Sequence, residues 1–384
     1  MEEASKFINS KNKKRKKYSK NYSIDKENNK IKILIYFISF FVFLMTFLII
    51  VKNIAKNYYK NNQLKSNKEI FKKLFLLKED KMEITNKNKI HICMDLDNNL
   101  VYPTLVSMTS ALENCDNNKN ILVYYLLISH DFDITNCEIL ESLKLKYQVI
   151  INYYMIPPRF IKLRSWTSKT TTIYYKFYMP FLFPNLERYI FLDGDTLIYK
   201  DLGEMYKLEF NDNYVLGYPF HTVKYADISG VKMTNYINSG VMLVNNKKII
   251  DDNKDAELLD YTLKNCHKLS YPTQDPINIV FHPHVGFLPL KYGIYLIGSI
   301  NVFEKEIKKD LRVTINQTEL LDAIKDPAII HFSCCNPKVW HNQSFHDFKE
   351  HSVCQKYHNE FYLFAKKTDY YKEILYLYMN KTEI

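Results

Sequence analysis

The chain has 384 residues, enough for one large domain with accessory segments, and a formal net charge of +11. Residues 1–88 carry 21 Lys/Arg against 8 Asp/Glu, whereas the whole chain has 53 and 42. The remainder is therefore close to neutral, and nucleic-acid binding is not predicted. A basic tail beside a membrane is the favoured interpretation of the charge.

Ile33–Val51 is an uncharged apolar segment long enough for a helix that crosses a bilayer. A cleaved signal peptide is disfavoured because no A-x-A-like site follows, and a buried core helix is disfavoured because lysines flank both ends. The basic run at 11–17 predicts a cytoplasmic N-terminus, hence a single-pass type II protein. We therefore expect a basic cytoplasmic tail at 1–32, a transmembrane helix at 33–51 and a stem at 52–88.

The ordered part of the chain is predicted to begin near Lys89. Short apolar runs predict strands at Ile90–Met94, Ile121–Ile128, Val149–Tyr153 and Tyr189–Leu192, with a helix over Ser107–Leu112. Strands that alternate with helices are typical of an α/β domain, so we expect a mixed, mostly parallel sheet flanked by helices. The sequence after about residue 346 is aromatic with helical spacing, which predicts a helical C-terminal extension at 346–384.

Two carboxylates follow the last of these strands. Asp193 and Asp195 flank Gly194, which allows a ligand to approach the backbone closely. Oxygen ligands of this kind hold a divalent cation that neutralises charge on a departing phosphate. A D-x-D sequence by itself more often lies in a solvated loop, but its position after a buried strand favours a site.

Two further side chains extend this candidate site. His331 follows the apolar run at 328–330, and an imidazole there would complete a Mn²⁺ site with the two carboxylates. Lys338 comes soon after and would contact a diphosphate as a point charge. A structural histidine and an exposed lysine are the ordinary alternatives.

Five segments in order resemble glycosyltransferase family 8, which contains lipopolysaccharide galactosyl- and glucosyltransferases and glycogenin. The segments are HICMDLDNNL, YYKFYMPFLFPNLERYIFLDGDTLIYKDL, YINSGVMLVN, YPTQDPIN and IIHFSCCNPKVW, and they extend from about Lys89 to Trp340. The resemblance implies a Rossmann-like GT-A domain at 89–345, a UDP-sugar donor, Mn²⁺ or Mg²⁺, and retention of anomeric configuration.

The resemblance also implies roles for individual residues. Asp97 and Asn99 would bind uridine, and Asp193, Asp195 and His331 would ligate the metal. Asn238, Ser239 and Gly240 would line the donor sugar. Gln274 would lie under the anomeric carbon. The nucleotide-sugar contacts would further include Gly194, Lys176 and Lys338.

Four positions depart from the family pattern. Leu100 replaces an aromatic residue that stacks on uracil, and Lys176 replaces an arginine, which loses the bidentate fork. Thr273 replaces the first Asp of the D-Q-D block, and the last block has one extra residue before its lysine. These differences bear on donor choice and on the assignment of Lys338.

The predicted function is transfer of glucose or galactose from a UDP-sugar to a glycan, lipid-linked or protein-linked acceptor. A front-side mechanism and a double displacement through Asp275 both remain open. The alternatives are a catalytically impaired nucleotide-sugar-binding or glycan-binding membrane protein, and a transferase that uses another donor such as UDP-xylose. In a eukaryote the topology would place the domain in the Golgi or ER lumen, whereas in a bacterium a cytoplasm-facing domain would be favoured.

Overall fold

The computed structural model describes residues 76–78, 86–156, 171–220, 233, 235–295, 317–333, 338–340 and 352–380. All of these belong to a compact unit formed by Lys72–Ile384. Within these residues no helix combines the length and apolar character that a membrane crossing requires. The predicted tail at 1–32 and transmembrane helix at 33–51 lie outside the described residues.

The strands of the described chain carry the apolar runs of the sequence. Their bounds are β1 Leu76–Lys78, β2 Asn88–Leu96, β3 Asn120–Ile128, β4 Val149–Met155, β5 Tyr189–Leu192, β6 Thr196–Ile198, β7 Val215–Pro219, β8 Ile237–Val244, β9 Val285–Phe287, β10 Tyr292–Tyr295 and β11 Ile329–His331. Every residue of β5, β7 and β8 is buried, as expected of strands covered on both faces.

Helices connect these strands and cover the sheet. Their bounds are α1 Val101–Glu113, α2 Thr135–Glu141, α3 Met179–Leu182, α4 Gly203–Tyr206, α5 Asn246–Asp251, α6 Lys254–Asn265, α7 Gln274–Phe281, α8 Gln317–Lys325, α9 Ser352–Ala365 and α10 Tyr371–Asn380. Short 3-10 helices are formed by Asn98–Leu100, Ser142–Leu145 and Thr172–Tyr178. Helices α9 and α10 lie within the segment at 346–384 that is predicted to be a helical extension.

The main sheet has eight strands in the order β1-β4-β3-β2-β5-β8-β7-β9. Parallel pairing joins β4, β3, β2 and β5, whereas β8 is antiparallel to both β5 and β7. The predicted mixed α/β sheet flanked by helices is therefore present. At one edge β1, which lies in the predicted stem at 52–88, pairs antiparallel with β4.

A second sheet of three strands has the order β10-β11-β6. Because β6 follows β5 after a turn of three residues, this small sheet brings β11 to the carboxyl end of β5. The C-terminal helices pack on this side through Tyr357, Phe361 and Ile374, which share a buried cluster with Phe332 and Trp340. The carboxyl edge of β2 and β5 and the end of β11 therefore frame one candidate site.

Candidate active site

The D-x-D turn is fixed by backbone bonds on both sides. The Asp193 amide donates to the Gly240 carbonyl of β8 at 2.7 Å, and the Phe332 amide donates to the Asp195 carbonyl at 2.9 Å. The turn between β5 and β6 is thereby tied to β8 and to the segment after β11. Both carboxylates are consequently presented from a rigid part of the backbone.

Helix α1 also contacts the D-x-D turn and holds it in place. Ser107 Oγ lies 2.8 Å from Thr196 Oγ1, and the Thr196 hydroxyl donates to the Asp193 carbonyl at 3.0 Å. A Cβ atom at Gly194 would lie 2.5 Å from Thr104 Oγ1, so the close approach of α1 requires glycine here. These hydroxyl residues are outside the predicted set of site residues, because their approach to the turn depends on the folded structure.

Asp193, Asp195 and His331 form the cluster that could hold a metal. One ligand atom from each lies within 4.8 Å of the others. His331 Nε2 is 3.4 Å from Asp193 Oδ2 and 3.2 Å from Asp195 Oδ1, yet it makes no hydrogen bond of normal geometry with the described residues. The imidazole is 1 % exposed, and a buried ring nitrogen of this kind requires a partner. Two carboxylates and one imidazole are a donor set that suits Mn²⁺.

Two lysines hold the outer oxygens of the same aspartates. Lys338 Nζ lies 2.6 Å from Asp195 Oδ2, and Lys176 Nζ lies 3.4 Å from Asp193 Oδ1. Lys338 also donates to the Phe332 carbonyl at 2.8 Å, and Lys176 to the Ser239 carbonyl at 3.2 Å. Each aspartate thus turns one oxygen towards His331 and the other towards a lysine, which leaves the inner oxygens for a cation.

The neighbouring charges lower the pKa values of the two aspartates and raise the pKa of the histidine. Burial would raise the pKa of Asp195, but Lys338 and His331 hold that pKa well below its ordinary value. Burial likewise acts against Asp193, whose pKa is lowered by Lys176 and His331. Although burial opposes it, Asp195 and Asp193 raise the pKa of His331 to about 9.

Strand β8 supplies the predicted donor-sugar segment. Asn238 Oδ1 accepts the Gly240 amide at 2.8 Å, and Ser239 Oγ lies 3.0 Å from Thr273 Oγ1 at the start of α7. Thr273 therefore links the two segments through its hydroxyl group. The adjacent Gln274 is 4 % exposed, and its Nε2 has no hydrogen-bond partner among the described residues.

Asp275 is engaged within the fold. Its side chain is fully buried, the Tyr236 hydroxyl donates to Oδ1, and the Tyr271 amide donates to Oδ2 at 2.8 Å. Burial raises the pKa of Asp275, while the bond from Tyr236 opposes that rise. These contacts favour a structural role for Asp275. Double displacement through this carboxylate remains a prediction.

Asn278, in the same segment as Gln274, is a structural residue outside the predicted set of site residues. Its Oδ1 accepts the Ile237 amide at 2.8 Å, and its Nδ2 donates to the Ile237 carbonyl at 2.9 Å and the Gln274 carbonyl at 2.8 Å. The side chain is fully buried. Asn278 therefore fixes α7, and with it Gln274, against β8.

The two residues predicted to bind uridine lie at the carboxyl end of β2. Asp97 is buried and accepts the Asn99 amide at 2.9 Å, which caps the 3-10 segment that leads into α1. Asn99 is exposed. Because β2 is parallel to β5, both residues lie at the sheet edge that carries the D-x-D turn. Their contact with a nucleotide remains a prediction.

The family model described as glycosyl transferase family 8 matches residues 91–344, which include all of the site residues above. The chain belongs to glycosyltransferase family 8. A lipopolysaccharide 1,2-glucosyltransferase from Escherichia coli is 27% identical over 286 residues, 71% of this chain and 79% of that protein.

Solved structures show the same fold. The galactosyltransferase LgtC, in complex with donor and acceptor sugar analogues, has a TM-score of 0.59 at 16% identity and covers 73% of this chain and 96% of its own. The bifunctional glycosyltransferase WbbM has a TM-score of 0.58 at 20% identity over 78% of this chain. The chain spans only 53% of WbbM, about half of its length.

Membership of family 8 confirms the predicted family and the prediction that the chain is a glycosyltransferase enzyme. The mixed sheet flanked by helices fits the predicted GT-A fold. The structure brings together Asp193, Asp195, His331, Lys176 and Lys338. It pairs Lys338 directly with Asp195, a contact that the sequence did not indicate.

Gly240 leaves the space that the cluster of this glycosyltransferase needs. A Cβ atom there would lie 2.2 Å from His331 Cε1 and 2.4 Å from Asp193 Oδ2. Gly240→Ala should therefore displace two members of the cluster and weaken Mn²⁺ binding about tenfold or more. Gly286→Ala is the matched control, because its Cβ would lie 2.5 Å from Leu216 Cδ2 at the sheet edge. Calorimetric Mn²⁺ titration should show a loss only for Gly240→Ala, and equal affinities would contradict this role.

Mn²⁺ binding to the glycosyltransferase should strengthen as pH rises. His331 has a pKa of about 9 in the folded protein against an ordinary 6.5, so near neutral pH it must release a proton to ligate a cation. We expect affinity to rise about tenfold per pH unit between roughly 6.5 and 9. Without added cation, the stability that His331 contributes is fully present below about 6.5 and is lost as pH rises through about 9. A flat Mn²⁺ affinity across pH 6.5–8.5 would contradict this assignment, and His331→Asn should remove the slope.

Proposed function

We propose that the chain transfers a hexose, glucose or galactose, from a UDP-sugar to a glycan, lipid-linked or protein-linked acceptor with retention of configuration. The observation that carries the proposal is the convergence of Asp193, Asp195 and His331 at the carboxyl edge of β5, beside the β8 segment 238–240. The glucosyltransferase and galactosyltransferase named above support a hexose as the transferred group.

Asp193, Asp195 and His331 would hold Mn²⁺ or Mg²⁺. The orphaned Nε2 of buried His331 and the inner oxygens of the two aspartates fit such a cation. A bound divalent cation neutralises the negative charge that develops on a departing diphosphate. We therefore assign this cluster to the diphosphate of the donor.

Two lysines and several polar side chains of the protein complete the proposed donor site. Lys338 and Lys176 place two positive charges beside the cluster, where they stabilise negative charge on the leaving group. Asp97 and Asn99 would bind the uridine, and Asn238, Ser239 and Gly240 would line the sugar. Gln274, held under β8 through Asn278, would face the anomeric carbon with its unpaired amide.

Attack from the front side accords best with these contacts. Gln274 is a poor nucleophile, and Asp275 already accepts bonds from Tyr236 and Tyr271. In that mechanism the acceptor hydroxyl loses its proton to the departing phosphate oxygen as the new glycosidic bond forms. Gln274 then serves to orient the sugar, and Asp275 to hold α7 in place.

A donor panel tests this function. Residues 53–384 would be incubated with UDP-glucose, UDP-galactose and UDP-xylose, with Mn²⁺ or with EDTA, and released UDP would be measured. We expect release from one hexose donor in Mn²⁺ and none in EDTA. Preference for UDP-xylose would contradict the hexose assignment. Donor binding without release, with or without glycan acceptors, would instead indicate a nucleotide-sugar-binding protein.

We also propose that Ile33–Val51 anchors the enzyme as a single-pass type II membrane protein. The apolar segment and the basic run at 11–17 support this topology. In a eukaryote the catalytic domain would then lie in the ER or Golgi lumen. Protease added to sealed vesicles should remove only the short N-terminal tail, and digestion of the catalytic domain from the cytoplasmic face would exclude this topology.

A further inference from the structure

Asp95 is a buried carboxylate beside the site to which the proposed function assigns no role. It lies on β2, its side chain is 8 % exposed, and neither oxygen accepts a hydrogen bond of normal geometry from the described residues. An uncompensated buried carboxylate is strongly unfavourable, so the fold must supply a counter-charge or a proton.

The strand register places Asp95 on the face of the sheet that Lys176 covers. Cys93 of β2 pairs with Phe191 of β5, and side chains alternate along each strand, so Asp95 projects from the same face as Cys93. Lys176 Nζ lies 3.8 Å from the centre of the Phe191 ring on that face and 3.4 Å from Asp193 Oδ1. Its ammonium group therefore lies over the β2–β5 pair, on the face of the sheet from which Asp95 projects.

The electrostatics agree with this geometry. Burial raises the pKa of Asp95 well above its ordinary value, and the negative charge of Asp193 adds to this rise, whereas Lys176 opposes it through its charge and its backbone amide. Lys176 is itself 6 % exposed, and its Nζ has only two described oxygen contacts, both longer than 3 Å: Asp193 Oδ1 at 3.4 Å and the Ser239 carbonyl at 3.2 Å. A buried ammonium with such long contacts needs a second carboxylate nearby.

We propose that Asp95 is a positioning residue that holds the Lys176 ammonium group from the sheet side, so that Asp193 keeps its inner oxygen for the divalent cation. This inference rests on the proposed function. Once His331 has released its proton to act as a ligand, three carboxylates, from Asp95, Asp193 and Asp195, face two lysines, Lys176 and Lys338, which leaves one negative charge to attract the cation. Without Asp95 that excess disappears, and Lys176 and the cation compete for Asp193.

Asp95→Asn tests the proposal, because asparagine keeps the shape of the side chain and removes its charge. Mn²⁺ binding, measured without donor by electron paramagnetic resonance of free Mn²⁺, should weaken about tenfold. His91→Gln is the matched control. His91 lies on the same strand and the same face, and its Nδ1 is 3.0 Å from the Tyr125 hydroxyl. Unchanged affinity in Asp95→Asn, or an equal loss in His91→Gln, would overturn the proposal.

A double-variant comparison tests whether Asp95 acts through Lys176 or only through its own negative charge. In a Lys176→Met background, Asp95→Asn should change Mn²⁺ affinity less than about twofold, because the side chain through which Asp95 acts is gone. An equal loss in both backgrounds would contradict the proposal.

Thermal unfolding gives a second measurement that needs neither donor nor Mn²⁺. Asp95→Asn alone leaves a buried ammonium with one carboxylate fewer, whereas the double variant Asp95→Asn/Lys176→Met removes both charges. We expect the double variant to unfold at a higher temperature than Asp95→Asn, even where the single variant folds poorly. A double variant no more stable than Asp95→Asn would overturn the pairing. A failed donor assay with intact coupling would reject the proposed function and leave the Asp95–Lys176 pair.

Discussion

Asp195→Asn should lower the transfer rate on the order of 10²-fold or more, with the fold intact. Asparagine keeps the size of the side chain but removes the negative charge that faces His331 at 3.2 Å and Lys338 at 2.6 Å. The site then loses an anionic ligand and gains an unbalanced lysine. Asp193→Asn should have a similar effect for the same reason, and steady-state release of UDP with circular dichroism measures both consequences.

Asp201→Asn is the matched control for this loss of charge. Asp201 Oδ2 accepts the Asp116 amide at 2.7 Å, and Oδ1 accepts bonds from Asn120 Nδ2 at 2.9 Å and the Gly203 amide at 2.8 Å. None of these contacts belongs to the active site, so this variant should lose stability but keep its turnover per folded molecule. Full activity of Asp193→Asn and Asp195→Asn, or full activity in EDTA, would exclude the metal role.

Lys176→Met should lower kcat more than it raises the donor KM. The methionine side chain fills most of the space, so the main change is loss of the ammonium beside Asp193 and the Ser239 carbonyl. Negative charge on the phosphate grows towards the transition state, and a cation that stabilises it acts mainly on kcat. We expect a fall in kcat of about 10- to 100-fold.

Lys176→Arg should retain or improve turnover, because a guanidinium keeps the charge and can contact two oxygens at once. Lys248→Met is the control: Lys248 pairs with Asp212 at 2.8 Å and Asp252 at 3.1 Å outside the active site. That substitution should cost less than about 1 kcal/mol of stability and leave kinetics unchanged. An unchanged kcat in Lys176→Met would show that Lys176 does not stabilise the leaving group.

The elements predicted from apolar runs are those whose signal is local. Tyr189–Leu192 was predicted with the bounds that β5 has, and Ile121–Ile128 differs from β3 by one residue. The helix predicted over Ser107–Leu112 instead begins at Val101, and Pro103 lies in its first turn, where proline is tolerated. The antiparallel pairing of β8 between β5 and β7 depends on contacts between distant segments and has no local signature.

In the candidate site, too, residues in a local motif are predictable, whereas contacts between distant segments are not. Asp193, Asp195 and His331 were predicted from a motif and the resemblance, and the structure brings them together. The pairing of Lys338 with Asp195 could not be foreseen, because it depends on how the chain returns after β11. Asp95 has no local signature, because a single acidic residue in an apolar strand resembles an edge position until its burial is known.

The proposed transfer reaction requires a divalent cation bound between Asp193, Asp195 and His331. Crystals grown with Mn²⁺ and UDP would locate that cation through its anomalous scattering. We expect one strong peak among the side chains of Asp193, Asp195 and His331, beside the bound UDP. Bound UDP with no anomalous peak at this cluster, or with Mn²⁺ held by other residues, would contradict it.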